Sequence, residues 1–222
     1  MITQPTIENL SRFIEQKRGQ ISPRDFADEF GKIKKHYLAS RQRDTFCSEA
    51  DSLASKMIEE KNIDFAGIIL SSLCKLTQYF PEQLEYFALK GLQVARLNKD
   101  PVHIMARLND LRKIYYRRPD KLYEYLQVLY QQEKCLKTLT QNYEHSKDAF
   151  QTLSRRIAPK RDYDLMLAHV QTEIGKITKR KKPFNAQTML ISARATFEAR
   201  GYKQNVEYID MLLNEIKDGF IS

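Results

Sequence analysis

Between Asp64 and Leu136 apolar side chains recur every three or four residues in four successive stretches, separated at Pro81, Asp100-Pro101 and Pro119-Asp120. That spacing puts them on one face of a helix. Phe65, Ile68, Ile69, Leu73 and Leu76 mark the first stretch, with Asp64 where an N-cap is wanted. Pro81 lacks an N–H and disfavours helix in the residue before it, so it ends that helix and suits the first turn of the next. Leu84, Phe87, Ala88, Leu92 and Ala95 follow, to about Asn98. Asp100-Pro101 is a cap followed by proline at the first helical position, ahead of Ile104, Met105, Leu108, Leu111 and Ile114. Pro119-Asp120 repeats the punctuation before Leu122, Leu126 and Leu129.

The flanks continue the pattern. A helix from about Thr6 to Lys17 carries Ile7, Leu10, Phe13 and Ile14 and ends at Gly19. Ser22-Pro23-Arg24-Asp25 has the form of a capping box and opens a helix faced by Phe26, Phe30, Ile33 and Tyr37. A turn is expected between Ala39 and Asp44, then a helix from about Thr45 to Lys61 using Phe46, Ala50, Leu53 and Met57. With no glycine or proline between Gly31 and Gly67, one continuous helix is the alternative. After Asp120, Leu122, Leu126, Leu129, Leu136, Tyr143, Phe150 and Ile157 keep roughly one phase up to Pro159. A break near Thr140 to Asn142 is favoured over a single rod of about 57 Å. Tyr163, Met166, Leu167, Val170, Ile174 and Ile177 predict the next helix. The last two span Ala186 to Arg200 and Val206 to Lys217.

Pro81 to Pro119 is 38 residues and Pro119 to Pro159 is 40, about two helices and two turns. Leu84 and Leu122 each fall three residues after their proline, Phe87 and Tyr125 each six after. Self-similarity of this length marks a helical-repeat array, in which each hairpin buries its apolar face on its neighbours. The expected fold is all-α, antiparallel helical hairpins stacked as a short α-solenoid, with an irregular helical bundle as the alternative. Residues 1–62 would form N-terminal helices packed on a hairpin array at 63–222, in one continuous domain.

The run Ala186, Leu190, Ala193, Phe197, Gly201, Tyr202 closes one helix at a glycine before another amphipathic helix, and resembles a tetratricopeptide-type hairpin. Tyr79, Ala88, Leu92, Ala95 and Pro101 repeat it faintly. The chain departs from that family in its longer period, against about 34 residues, and in the early position of Pro81. The resemblance implies a right-handed superhelix whose inner groove binds a peptide or partner protein; it brings no catalytic residue.

Seven glycines and seven prolines in 222 residues disfavour β-hairpins and sandwiches. No run approaches the roughly 18 consecutive apolar residues of a membrane span, and Met1 to Arg12 has no secretory pattern. Cys47, Cys74 and Cys135, odd in number and far apart, read as free thiols, which with the missing leader suggests a cytoplasmic setting.

Charge changes the picture more. Residues 111–182 hold 17 Lys and Arg against 8 Asp and Glu, while the remainder has 20 of each. The densest clusters are Arg117-Arg118, Arg155-Arg156, Lys160-Arg161 and Lys179-Arg180-Lys181-Lys182. The last two lie at opposite ends of one predicted helix, roughly 25 Å apart, too far for one tight phosphate pocket. The plain role for these charges is solvation and complementing helix C-termini. Attraction of an acidic protein or peptide is a second. Nucleic acid is the third, with Tyr115, Tyr116, Tyr123 or Tyr125 to stack on bases; half-buried packing serves those tyrosines equally well.

Enzymatic chemistry finds little footing. Nucleotide-binding loops need two glycines within about six residues, and the closest pair, Gly19 and Gly31, is twelve apart. His36, His103, His145 and His169 are isolated, there is no Cys-x-x-Cys, and His169 with Glu173 is an ordinary surface pair before it is half a metal site. Each cysteine lies on or beside an apolar stripe, where a buried inert thiol is the default. Asp162 and Asp164 suit the start of their helix. The sequence therefore predicts a binding scaffold, with no enzyme activity, cofactor or metal, whose partner is another protein or acidic peptide, with nucleic acid as the alternative and no membrane.

Overall fold

The computed structural model describes residues 5–17, 20–141 and 160–219, with 160–162 as backbone alone. All regular structure among them is helical. The chain divides into two compact units, Met1–Ile114 and Tyr115–Ser222.

The first unit holds α1 (Ile7–Gln16), α2 (Pro23–Ala39), α3 (Arg43–Glu59), α4 (Ile63–Leu76), α5 (Pro81–Leu97) and all but the last residue of α6 (Pro101–Tyr115). Several starts follow the expected chemistry. Thr6 Oγ1 accepts from Asn9 N at 3.2 Å, and Ser22 Oγ accepts from Asp25 N at 3.1 Å while donating to the Asp25 carboxylate at 2.7 Å. Asp100 Oδ1 accepts from Val102 N and His103 N at 3.0 and 3.1 Å. Asp64 differs: α4 begins at Ile63 behind Asn62, so Asp64 lies inside the first turn, where it accepts from Asn98 Nδ2 at 2.8 Å. A turn, and not a continuous helix, separates α2 from α3.

The turns share one construction. Arg41, Lys61 and Lys99 sit at φ +56, +60 and +52, and Gly201 at +76. In each, the next residue donates back to the carbonyl five before it: Gln42 to Tyr37 (2.9 Å), Asn62 to Met57 (2.8 Å), Asp100 to Ala95 (3.1 Å) and Tyr202 to Phe197 (2.9 Å). This is a Schellman closure, in which one left-handed residue reverses the chain and satisfies the last carbonyls.

Within the unit α1 packs on α3, α2 on α4, and α4 lies between α3 and α5. Ala66, Ile69, Leu70, Leu73 and Cys74 of α4 are all buried, a belt wider than one face, as suits a helix with neighbours on several sides. Phe26 stacks on Phe65 at 4.4 Å and Phe30 meets Phe46 at 5.4 Å, joining α2 to α4 and to α3. Polar contacts cross between next-but-one helices at recurrent separations: Lys34–Ser72 (38 residues apart), Lys90–Asp51 (39) and Arg43–Gln83 (40).

The second unit holds a 3-10 turn at Pro119–Lys121, α7 (Leu122–Gln141), α8 (Lys160–Thr178), α9 (Pro183–Ala199) and α10 (Lys203–Asp218). Here α8 packs on α7 and α9, and α9 on α10. Ala168, Leu190, Ala193, Phe197, Ile209, Leu212 and Ile216 form its core. The expected α7 stripe is corrected. Because the 3-10 turn delays the α-helix to Leu122, that leucine is 52% exposed and Leu126 only half-buried, while Tyr125, Val128, Leu129, Gln132, Glu133, Leu136 and Leu139 form the inner face. The Leu84–Leu122 correspondence therefore fails where Phe87–Tyr125 holds, both of the latter being buried. Tyr143, Phe150 and Ile157, and the rod-or-break question, lie outside the described residues.

Two glycines are opposite cases. A Cβ on Gly175 would come 2.7 Å from Leu190 Cγ and 3.3 Å from the Ala186 carbonyl, so glycine lets α8 close on α9; a Cβ on Gly31 would meet nothing within 4 Å. Gly175→Ala is expected to lower stability by about 1–3 kcal/mol through overpacking, and Gly31→Ala to raise it by about 0.5–1 kcal/mol through helix propensity, both read from urea midpoints. Lys61→Gly is expected to stabilise by about 0.5 kcal/mol, because relief of the left-handed cost of an L residue exceeds glycine's entropy. Gly201→Ala is expected to destabilise by about 1 kcal/mol in the same titration.

Candidate basic surface

Of the ten cations singled out by sequence, the structure brings one group together on a braced turn. Thr178 ends α8 with its carbonyl accepting from Lys181 N and Lys182 N at 3.0 and 2.8 Å, and Pro183 opens α9. Residues 179–182 are thus tied at both ends. Lys179 bonds to Glu215 of α10, whereas Arg180, Lys181 and Lys182 are exposed and make no ion pair among the described residues. Lys179, Arg180, Pro183, Glu215, Ile216 and Asp218 line a groove of about 580 Å³ at this end of the unit. Its lining mixes signs, so the positive potential belongs to the outer edge of the turn.

Lys160 and Arg161 begin α8 at its far end, about 27 Å away at helical rise, so they do not join this cluster. Arg155 and Arg156 lie outside the described residues. Arg117 is exposed, and half-buried Arg118 reaches Asp120 Oδ2 at 3.2 Å. Among the proposed stacking rings, Tyr115 and Tyr125 are buried and serve packing, which corrects half of that expectation. Tyr116 and Tyr123 are 67% and 72% exposed, with the Tyr116 ring 5.9 Å from that of Tyr125.

No cluster of three or more His, Cys, Asp or Glu able to hold a metal occurs among the described residues. His169 packs edge-on to Phe197 at 4.9 Å. Asp164 lies inside α8, 3.7 Å from Arg200, and not at a cap. Burial pushes the Cys74 thiol up to about 11 and raises that of Cys47, the opposite of what an attacking thiolate needs. Cys47 lies in a groove between α3 and α5 rimmed by Asp44, Asp51 and Glu82, where Asp51 is already engaged by Lys90 at 2.5 Å and Tyr86 at 2.9 Å. Among the described residues no helix is long and apolar enough to cross a membrane.

Compared with known protein families, curated proteins and solved structures, the chain matches none. The site is therefore read from its own geometry. The first unit, taken by itself, carries cations that a running charge count misses, since Lys34 and Lys75 fall in the part of the sequence where acids and bases balance.

Arg180→Gln/Lys181→Gln/Lys182→Gln is expected to change the urea midpoint by less than about 1 kcal/mol, because the three side chains have no partner to lose beyond the α8 dipole. A larger fall would make these charges part of the fold.

Proposed function

We propose that the chain is a non-enzymatic helical scaffold, its hairpins stacked as a short right-handed tetratricopeptide-like α-solenoid, that binds an acidic protein or peptide through the basic region. The observation that carries this is the turn, tied at Thr178 and Pro183, that presents Arg180, Lys181 and Lys182 to solvent with no ion pair among the described residues. Like charges held side by side repel, and an external anion relieves that repulsion. Support for stacking comes from the contacts at separations of 38, 39 and 40 residues, which match the proline period. A second reading, single-stranded nucleic acid, is favoured by the exposed Tyr116 and Tyr123 rings, with exposed Arg117 following Tyr116 in the sequence.

Fluorescence anisotropy with a labelled polyglutamate peptide and a labelled oligo-dT separates the two. The peptide is expected to bind wild type in low salt and weaken as salt rises. Arg180→Gln/Lys181→Gln/Lys182→Gln should weaken it roughly tenfold, from about 0.5 kcal/mol for each exposed ion pair lost. Preferred oligo-dT binding, reduced by Tyr116→Ala/Tyr123→Ala, would replace the acidic partner with nucleic acid. No binding of either probe would remove the scaffold reading.

A further inference from the structure

The first unit carries a second cationic face, assembled from helices distant in sequence. On α2, Ala27, Gly31 and Lys34 form a half-buried stripe, and Lys34 Nζ bonds Ser72 Oγ of α4 at 3.2 Å. Lys75 follows Ser72 by three residues, one turn along the same side of α4. Helix α6 is seated by Arg107, whose Cδ lies where a Cβ on Gly91 of α5 would be 2.8 Å away, next to Leu70 of α4. Arg107 Nη2 approaches Asp110 Oδ2 at 3.2 Å, and Lys113 stands one turn beyond. The face thus runs across α2, α4 and α6 through Lys34, Lys75 and Lys113.

Its charges are poorly compensated. Lys75 and Lys113 are exposed and within ion-pair distance of no acid among the described residues. Burial, then the charges of Lys75 and Lys35, lower the Lys34 amine below its ordinary value. Asp110 is the acid among these groups. Burial pushes its carboxyl up against the opposing pull of Arg107, Lys113 and Lys75, so a single acid faces three cations here. The surface between the lysines is small or hydroxylic, Ala27, Gly31, Ser71 and Ser72, with open space in front of Gly31. An extended chain could approach this backbone closely, and the residues named supply no aromatic ring on which a base would stack.

We infer that the α2–α4–α6 face, through Lys34, Lys75 and Lys113, is a docking surface for an extended acidic peptide segment, whose carboxylates span lysines one helix apart. Packed helices lie about 8–10 Å apart, a distance bridged by acidic side chains a few residues apart in an extended strand. The surface adds to the scaffold reading but stands on residues of the first unit alone.

The test uses the full chain and the labelled polyglutamate peptide, with oligo-dT alongside. Lys75→Glu/Lys113→Glu is compared with Lys61→Glu/Lys99→Glu, which makes the same net charge change at two exposed turns. Lys34→Gln is a third variant, and circular dichroism checks that each is folded. Lys75→Glu/Lys113→Glu is expected to weaken peptide binding roughly tenfold or more while the turn variant stays within about twofold of wild type. Equal losses in both would mean that net charge alone matters, and the inference fails. Tighter oligo-dT binding sensitive to the same lysines would overturn the peptide assignment. Loss confined to the Arg180, Lys181, Lys182 variant would overturn this face and leave the scaffold reading standing; no peptide binding by wild type would overturn both.

Discussion

None of the described helices can stand alone. Those described run from 10 to 20 residues, lengths at which an isolated helix in water is marginal at best, so each owes its stability to burial of its apolar face. α4 shows the constraint most plainly. It buries Ile69, Leu70, Leu73 and Cys74 at once, which requires neighbours on several sides, and α2, α3 and α5 supply them. At about 1.5–3 kcal/mol for each large side chain fully buried, that contact outweighs any cap or surface ion pair in the first unit.

Stacking of helices two apart in sequence has an electrostatic consequence. Residues about 38–40 positions apart become neighbours, so charges that cancel along the chain need not cancel in space. In the first unit Asp44, Asp51 and Glu82 collect between α3 and α5, while Lys34, Lys75 and Lys113 collect across α2, α4 and α6. The second unit reaches a similar end by a local route, with adjacent cations held on a turn by Thr178 and Pro183.

Where punctuation is chemical, the helices could be read directly. Ser22-Pro23, Pro81 and Asp100-Pro101 each place a cap or a proline whose missing N–H fits only a helix start, and the apolar period after each does the rest. Closures were harder. Arg41, Lys61 and Lys99 occupy the left-handed positions where glycine is the usual signal, so three turns carry no mark in the residue that makes them. The α7 register slipped for a related reason: a 3-10 turn at Pro119 inserts part of a turn that periodicity does not register, and rotates Leu122 outward.

The sequence by itself determined that the described chain is helical, that helices begin at Pro23, Pro81 and Pro101, and much of which side chains face inward, because caps, prolines and the 3.6-residue period act within a few residues. It also located the Arg180-Lys181-Lys182 cluster, since those residues are adjacent. Only the tertiary structure decided that Tyr115 and Tyr125 are buried while Tyr116 and Tyr123 are exposed, that Lys179 is tied to Glu215, and that Lys34 meets Ser72. Those outcomes depend on which helix lies against which, and helix packing is set by the summed fit of many side chains, a quantity with no local mark in the chain.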